Sequence, residues 1–186
     1  MAVQQIEKLH TVDDYFAMQG EYPRYELLEG ELIEMTPSPT SKHQRVSRNL
    51  FRLLDAYNET AHLGELLSAP LDVVLSPRTV VQPDIIFITE KRRAQLIGEH
   101  ITGAPDLVIE ILSPATGARD LNQKRKLYAR SGVKEYWIVD PEDETIEIQE
   151  LHGNVFSTLA IFEKGQKLSS PTFEGLAVEV EQVFAK

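Results

Sequence analysis

The stretch Asp106-Leu107-Val108-Ile109-Glu110-Ile111-Leu112 reads as a buried strand in every respect but one. Glu110 stands alone in its middle, and a carboxylate among aliphatic side chains is costly unless something binds it. Alternation puts Asp106, Val108, Glu110 and Leu112 on one face and Leu107, Ile109 and Ile111 on the other. Ser113-Pro114 breaks this strand, and residues 120–131 then carry helical periodicity, closed by Gly132 in the stop position.

On a helical wheel Leu121, Leu127, Tyr128 and Ser131 share a face with Lys124, while Asn122, Gln123, Arg125, Lys126 and Arg130 point elsewhere. Two readings of Lys124 stand side by side. Either its stem snorkels past Tyr128 to water, or its ammonium partners a buried carboxylate on the preceding strand. Upstream, Val81-Gln82-Pro83-Asp84-Ile85-Ile86-Phe87-Ile88 is a second strand that opens with a carboxylate. If Asp84 points the same way as Glu110, the pair can meet at one cation, and Mg²⁺ characteristically takes one or two protein carboxylates plus waters and a phosphate. Taken alone, Asp84 and Asp106 each follow a proline and are also ordinary strand-entry residues.

Working outward, Thr11 and Asp14 suggest a capped short helix. Residues 25–35 read as a hairpin about Glu29-Gly30, ended by the Pro/Ser/Thr cluster at 36–41. From Ser41 to about Ala61 the pattern predicts a helix, with His43, Val46, Leu50, Leu53, Leu54 and Tyr57 on one face and Arg45, Arg48 and Arg52 on the other. That arginine stripe is either a solvated face or a track for a phosphate backbone. His43 sits in the apolar stripe as a core histidine or a site residue, with Thr40 or Ser41 as the cap. Residues 66–75 read as one extended segment, and 90–103 as a loop or short helix. Residues 135–140 read as a strand whose Tyr136 and Trp137 belong to the core. Segments 145–151, 155–162 and 176–180 are spaced like an antiparallel meander.

The 186-residue length and 42% hydrophobic content suit one domain, 1–186, with a substantial core. With no cysteine, any metal site must be built from Asp, Glu or His, which favours hard cations. The N-terminus lacks a leader pattern and no apolar run approaches the roughly 18 residues of a membrane span, so the expected location is cytoplasmic. A net charge of −10 argues against a nucleic-acid partner until it is resolved along the chain. Residues 1–41 and 135–186 are strongly acidic, whereas residues 42–134 hold 14 basic against 10 acidic side chains, and these include the candidate site.

Pro83-Asp84 on one strand, Glu110 on the next and Lys124 on the following helix resemble the core of the PD-(D/E)XK nuclease superfamily. The resemblance is closest to its large bacterial family of "putative restriction endonucleases" of unknown function. It spans about 25–151 and includes Tyr25-Glu26-Leu27-Leu28-Glu29-Gly30-Glu31, the segment from Ala104 to Pro114, and Gly132-Val133-Lys134-Glu135-Tyr136-Trp137-Ile138-Val139-Asp140. It implies an α/β (mixed α+β) restriction-endonuclease-like core: a central mixed sheet flanked by helices, with an N-terminal hairpin and C-terminal antiparallel strands. It further implies Asp84 and Glu110 as ligands of Mg²⁺ or Mn²⁺, Lys124 as the third catalytic residue, and Glu31 and His43 as supporting residues. One departure stands out. The superfamily lysine usually lies two residues after the second acid, where this chain has Leu112, and Lys124 on the next helix takes its place.

The expected activity is therefore divalent-metal-dependent endonucleolytic hydrolysis of phosphodiester bonds, with DNA as the first substrate to test and a homodimer as the expected assembly. The rival is a catalytically silent nucleic-acid-binding or regulatory module on the same fold, which keeps Glu110 and Lys124 as a structural ion pair. A small-molecule hydrolase finds less support, since neither a nucleophile-elbow motif nor a phosphate-binding loop is present.

Overall fold

A computed structural model describes residues 9–18, 23–35, 39–113 and 118–186, with 118–120 as backbone only. The capping box forms as expected on α1 (Val12–Ala17), where Thr11 and Asp14 exchange hydrogen bonds. Strands β1 (Tyr25–Leu28) and β2 (Glu31–Glu34) close a hairpin over Glu29 and Gly30, whose φ values of 53° and 94° suit a two-residue hairpin loop. Helix α2 (Ser41–Ala61) starts where Thr40 accepts a hydrogen bond from the His43 N–H, and it buries Val46, Leu50 and Leu54. Of the Pro/Ser/Thr cluster, residues 36–38 lie outside the described residues.

Next come β3 (Gly64–Ser68), β4 (Val73–Ser76), β5 (Thr79–Val81), β6 (Ile85–Thr89), α3 (Glu90–Leu96), β7 (Ile101–Thr102) and β8 (Leu107–Ile111). The crossover helix α4 (Ala118–Ser131) leads to β9 (Glu135–Asp140), β10 (Thr145–His152) and β11 (Val155–Phe162). The chain ends in β12 (Lys167–Leu168), β13 (Val178–Glu179) and α5 (Val180–Phe184).

A six-stranded sheet in the order β11-β10-β9-β8-β6-β3 carries the architecture. Among the described residues its only parallel pair is β8–β9, which is the pair that α4 connects, because parallel neighbours need a long crossover. A second sheet runs β2-β1-β5-β4-β7, and β12–β13 form a two-stranded ribbon. The alternation read in β8 holds in three dimensions. Leu107, Ile109 and Ile111 pack with α2 residues Val46, Leu50 and Leu54 and with Val180 and Val183 of α5. On the opposite face Val108 joins Ile86, Ile88, Tyr136 and the α4 residues Leu127 and Tyr128, together with Val73 and Val81 of the second sheet. Each fully buried aliphatic side chain contributes about 1.5–3 kcal/mol relative to exposure. Trp137 and Tyr136 are completely buried, as core residues.

Two segments differ from the sequence reading. Residues 66–75 are not one extended run: Pro70 has no N–H to continue a ladder, so β3 stays in the large sheet while β4 enters the other. Residues 176–180 do not complete a meander beside β11. Leu176, Val178 and Val180 instead turn back into the α2 side of the core, where burial outweighs another edge pairing.

Gly64 is where α2 hands over to the sheet, and a Cβ there would lie 2.1 Å from the Ile88 carbonyl oxygen. Backbone cannot yield that much, so Gly64→Ala is expected to cost at least about 1–3 kcal/mol, read as a lower denaturation midpoint with an unchanged m-value.

Asp106 proves to be a clamp for the fold. Its side chain accepts from the Thr89 N–H and hydroxyl, from Arg92 at 2.9 Å and from Lys134 at 2.6 Å. Glu135, equally buried, accepts from Trp137 Nε1 and from Ser170 and Thr172, which ties the C-terminal loop to β9.

Candidate active site

The sheet register brings the two carboxylates together. Ile85 of β6 pairs with Ile109 of antiparallel β8, and one step further along that register Asp84 stands opposite Glu110. Asp84 Oδ2 accepts from the Ile111 N–H at 2.8 Å and lies 3.3 Å from His43 Nε2. His43 reaches it because the N-cap at Thr40 fixes the first turn of α2 against this end of the sheet. Burial opposes charge on the imidazole, yet the Asp84 carboxylate and the Ile111 backbone together hold its pKa above the ordinary histidine value.

From the other face, α4 delivers Lys124 and Tyr128. Lys124, only 9% exposed, sets its Nζ 3.5 Å from Glu110 Oε1 and 3.0 Å from Glu26 Oε1. The inward reading of this lysine therefore holds, with two acidic neighbours. Tyr128 donates to Glu110 Oε1 at 2.6 Å, and burial beside that carboxylate raises the phenol's pKa well above its usual value, so it stays a donor. Burial pushes the Glu110 carboxyl up to about 7. Lys124 and Tyr128 pull it down, while the charges of Asp84 and Glu26 add to the rise.

Glu26 is the residue the sequence reading missed. It is buried at 5% exposure on β1, and its Oε1 also accepts from the Gln82 N–H at 2.8 Å. The signal was present in the chain, since alternation puts Glu26 on the same face as Leu28, the same anomaly as Glu110 within its strand. Glu31, chosen from this hairpin instead, is solvent-exposed beside the turn and pairs across from Leu28. It is not the hairpin glutamate that reaches Lys124. Arg45, Arg48 and Arg52 are exposed along α2, starting two residues beyond His43. Arg125, read as outward, is half-buried and donates to Gln149 Oε1 and the Phe156 carbonyl, both at 2.6 Å, because β10 and β11 extend beneath α4.

The donor set fits a hard divalent cation. Among the described residues no three His, Asp or Glu side chains form a ready-made cage. Two strand-end carboxylates are nevertheless what Mg²⁺ uses when phosphate oxygens and water complete its shell. Asp84 engages its partners through Oδ2 and Glu110 through Oε1, so Oδ1 and Oε2 are the oxygens a cation would take. Asp84 and Glu26 repel charge on Glu110 even with Lys124 and His43 beside the cluster, and a cation would offset that repulsion.

The mixed sheet and its flanking helices form a restriction-endonuclease-like fold. The chain belongs to the Uma2 family, described as "Putative restriction endonuclease", whose model matches residues 12–181. A crystal structure titled as a "putative nuclease belonging to DUF820" from Anabaena variabilis superposes with a TM-score of 0.78 at 20% identity, covering 94% of this chain and 97% of that one. No curated protein matches this chain. No helix among the described residues is long and apolar enough to cross a membrane.

Proposed function

We propose that the protein is a divalent-metal-dependent endonuclease acting on DNA, with Asp84, Glu110 and Lys124 as its catalytic residues. The observation that carries this reading is the convergence of two strand-end carboxylates and a buried lysine at one point of a nuclease-family fold. Asp84 and Glu110 would hold Mg²⁺ or Mn²⁺, which would supply Lewis acidity toward the phosphate and an attacking water. Lys124 places positive charge where the phosphate gains negative charge, or orients the attacking water, in a site shielded enough for that charge to count. His43 fixes Asp84 from behind, and Tyr128 fixes Glu110. Cleavage of plasmid and single-stranded DNA with Mn²⁺ or Mg²⁺ tests the reading. Wild type should cut far faster than Glu110→Ala and Lys124→Ala, which keep at most a small residual rate. Equal cutting by all three assigns the activity elsewhere, and silence from all three favours the non-catalytic module.

The exposed arginines of α2 share the helix face opposite His43, and we read them as contacts to the phosphate backbone. Replacing Arg45, Arg48 or Arg52 with Ala should weaken binding of a catalytically silenced variant on any sequence, and should reduce the slope of log K against log salt by about 1 each. A homodimer acting in the cytoplasm completes the proposal. Its support is β11, an uncharged edge strand bearing Val155, Leu159 and Ile161, three of the four exposed large hydrophobics among the described residues. Light scattering on wild type and Ile161→Lys distinguishes dimer from monomer.

A further inference from the structure

Moving the lysine from the strand to a helix carries a geometric cost. Two residues after Glu110, a lysine would be held by the same strand as its carboxylate. Here that position is Leu112, and the ammonium arrives on α4 at the end of a flexible four-carbon stem. Glu110 alone does not pin it, since Oε1 of Glu110 is 3.5 Å from Nζ and already accepts from Tyr128 at 2.6 Å. The closer carboxylate belongs to the other sheet. Glu26 Oε1 lies 3.0 Å from Nζ, and Glu26 is itself held by the Gln82 peptide N–H, two residues before Asp84.

We infer that Glu26 is a positioning residue: it anchors Lys124 from the β1–β2 hairpin and substitutes for the strand attachment that the relocated lysine lacks. The inference rests on the nuclease reading and adds a fourth charged residue to it. Glu26 acts on the lysine and not as a ligand of the divalent ion. The hairpin and Gln82 thus belong to the catalytic apparatus, since the one peptide that holds Glu26 leads directly into Pro83-Asp84. It also explains why a glutamate sits buried on the apolar face of β1, where a leucine would pack at no cost.

Glu26→Gln keeps a carbonyl oxygen for the Gln82 N–H and removes only the charge. With Lys124→Met and the double variant it forms a thermodynamic cycle. Glu26→Gln should lower kcat on the order of 100-fold, the scale expected for a displaced catalytic group. KM and the Mn²⁺-induced rise in melting temperature should stay near wild type. In the Lys124→Met background the same substitution should have no further effect on kcat. Wild-type kcat in Glu26→Gln, or losses that multiply in the double variant, would overturn the inference. So would a lost Mn²⁺ response like that of Asp84→Asn, since this would make Glu26 an ion ligand, or a kcat loss that merely tracks the unfolded fraction. An inactive wild type overturns the nuclease reading, and the melting temperatures of the same four proteins then decide the anchor separately. Non-additive shifts are expected, and additive ones remove it.

Discussion

Glu110→Gln and Asp84→Asn are each expected to lower the cleavage rate on the order of 10³-fold, the scale for removing one preorganised charge at a reacting centre. They should also abolish stabilisation by Mn²⁺. Both substitutions preserve shape, and the amide oxygen of each can still accept from Tyr128 or from the Ile111 N–H. What disappears is the second negative charge at the ion. For wild type, an ion present at about 100 times its Kd stabilises the fold by about 2.7 kcal/mol. In a chain of this length each kcal/mol corresponds to roughly 2–4 °C in melting temperature, which a thermal scan with and without Mn²⁺ resolves. An unaltered Mn²⁺ response in both variants would place the ion elsewhere.

Glu110 also predicts an unusual pH dependence in metal-free buffer. Burial raises the Glu110 carboxyl from 4.5 to about 7, so between those values the folded chain binds a proton that the unfolded chain has released. The stability contributed by this raised acid is fully present below 4.5 and declines as pH climbs through 7. A bound divalent cation favours the ionised form and should flatten the decline. Denaturant midpoints at several pH values, with EDTA and with Mn²⁺, read the difference directly.

Asp106→Ala is expected to cost about 3 kcal/mol, because it leaves buried donors without an acceptor and removes the charge that Arg92 and Lys134 meet. Arg92 and Lys134 are 30% and 65% exposed, so water recovers part of their loss, whereas the Thr89 N–H loses its acceptor inside the fold. Urea unfolding gives the number, and cleavage by the folded fraction should be unchanged. The pH dependence runs opposite to that of Glu110. Burial alone would raise the Asp106 pKa, but Lys134, the Thr89 N–H and Arg92 together hold it below 3.8. Its contribution is therefore present above 3.8 and is lost as pH falls through the lowered value. In Asp106→Ala this acid-side loss should disappear from the profile.

How much of this was readable from residues alone depended on whether the signal was local. The alternation in 106–112 and the helical period in 120–131 were enough to put Glu110 and Lys124 on apolar faces of their elements, since strand and helix periods follow from backbone geometry. Helix α2 was legible from end to end for the same reason, with a capping threonine and an unbroken apolar stripe. Alternation marks Glu26 as a carboxylate within an apolar strand, but that it and not Glu31 meets α4 depends on how the second sheet lies against the first.

Arg125 shows the same limit, for its wheel position is outward only until β10 and β11 pass beneath α4. Asp106 read as a strand opener because its donors come from 14 to 28 residues away, a separation no local pattern reports. From its sequence alone this protein had determined the periodicity of its elements, the caps and breakers that bound them, and the two strand-borne acids with a lysine on the apolar face of the next helix. Tertiary structure decided the strand order that sets Asp84 opposite Glu110, the sheet-to-sheet packing that brings Glu26 to Lys124, and the return of the C-terminal segment onto α2. The physical reason is range: φ/ψ and side-chain period act over a few residues, whereas burial and ion pairing are settled only when distant segments compete for the same space.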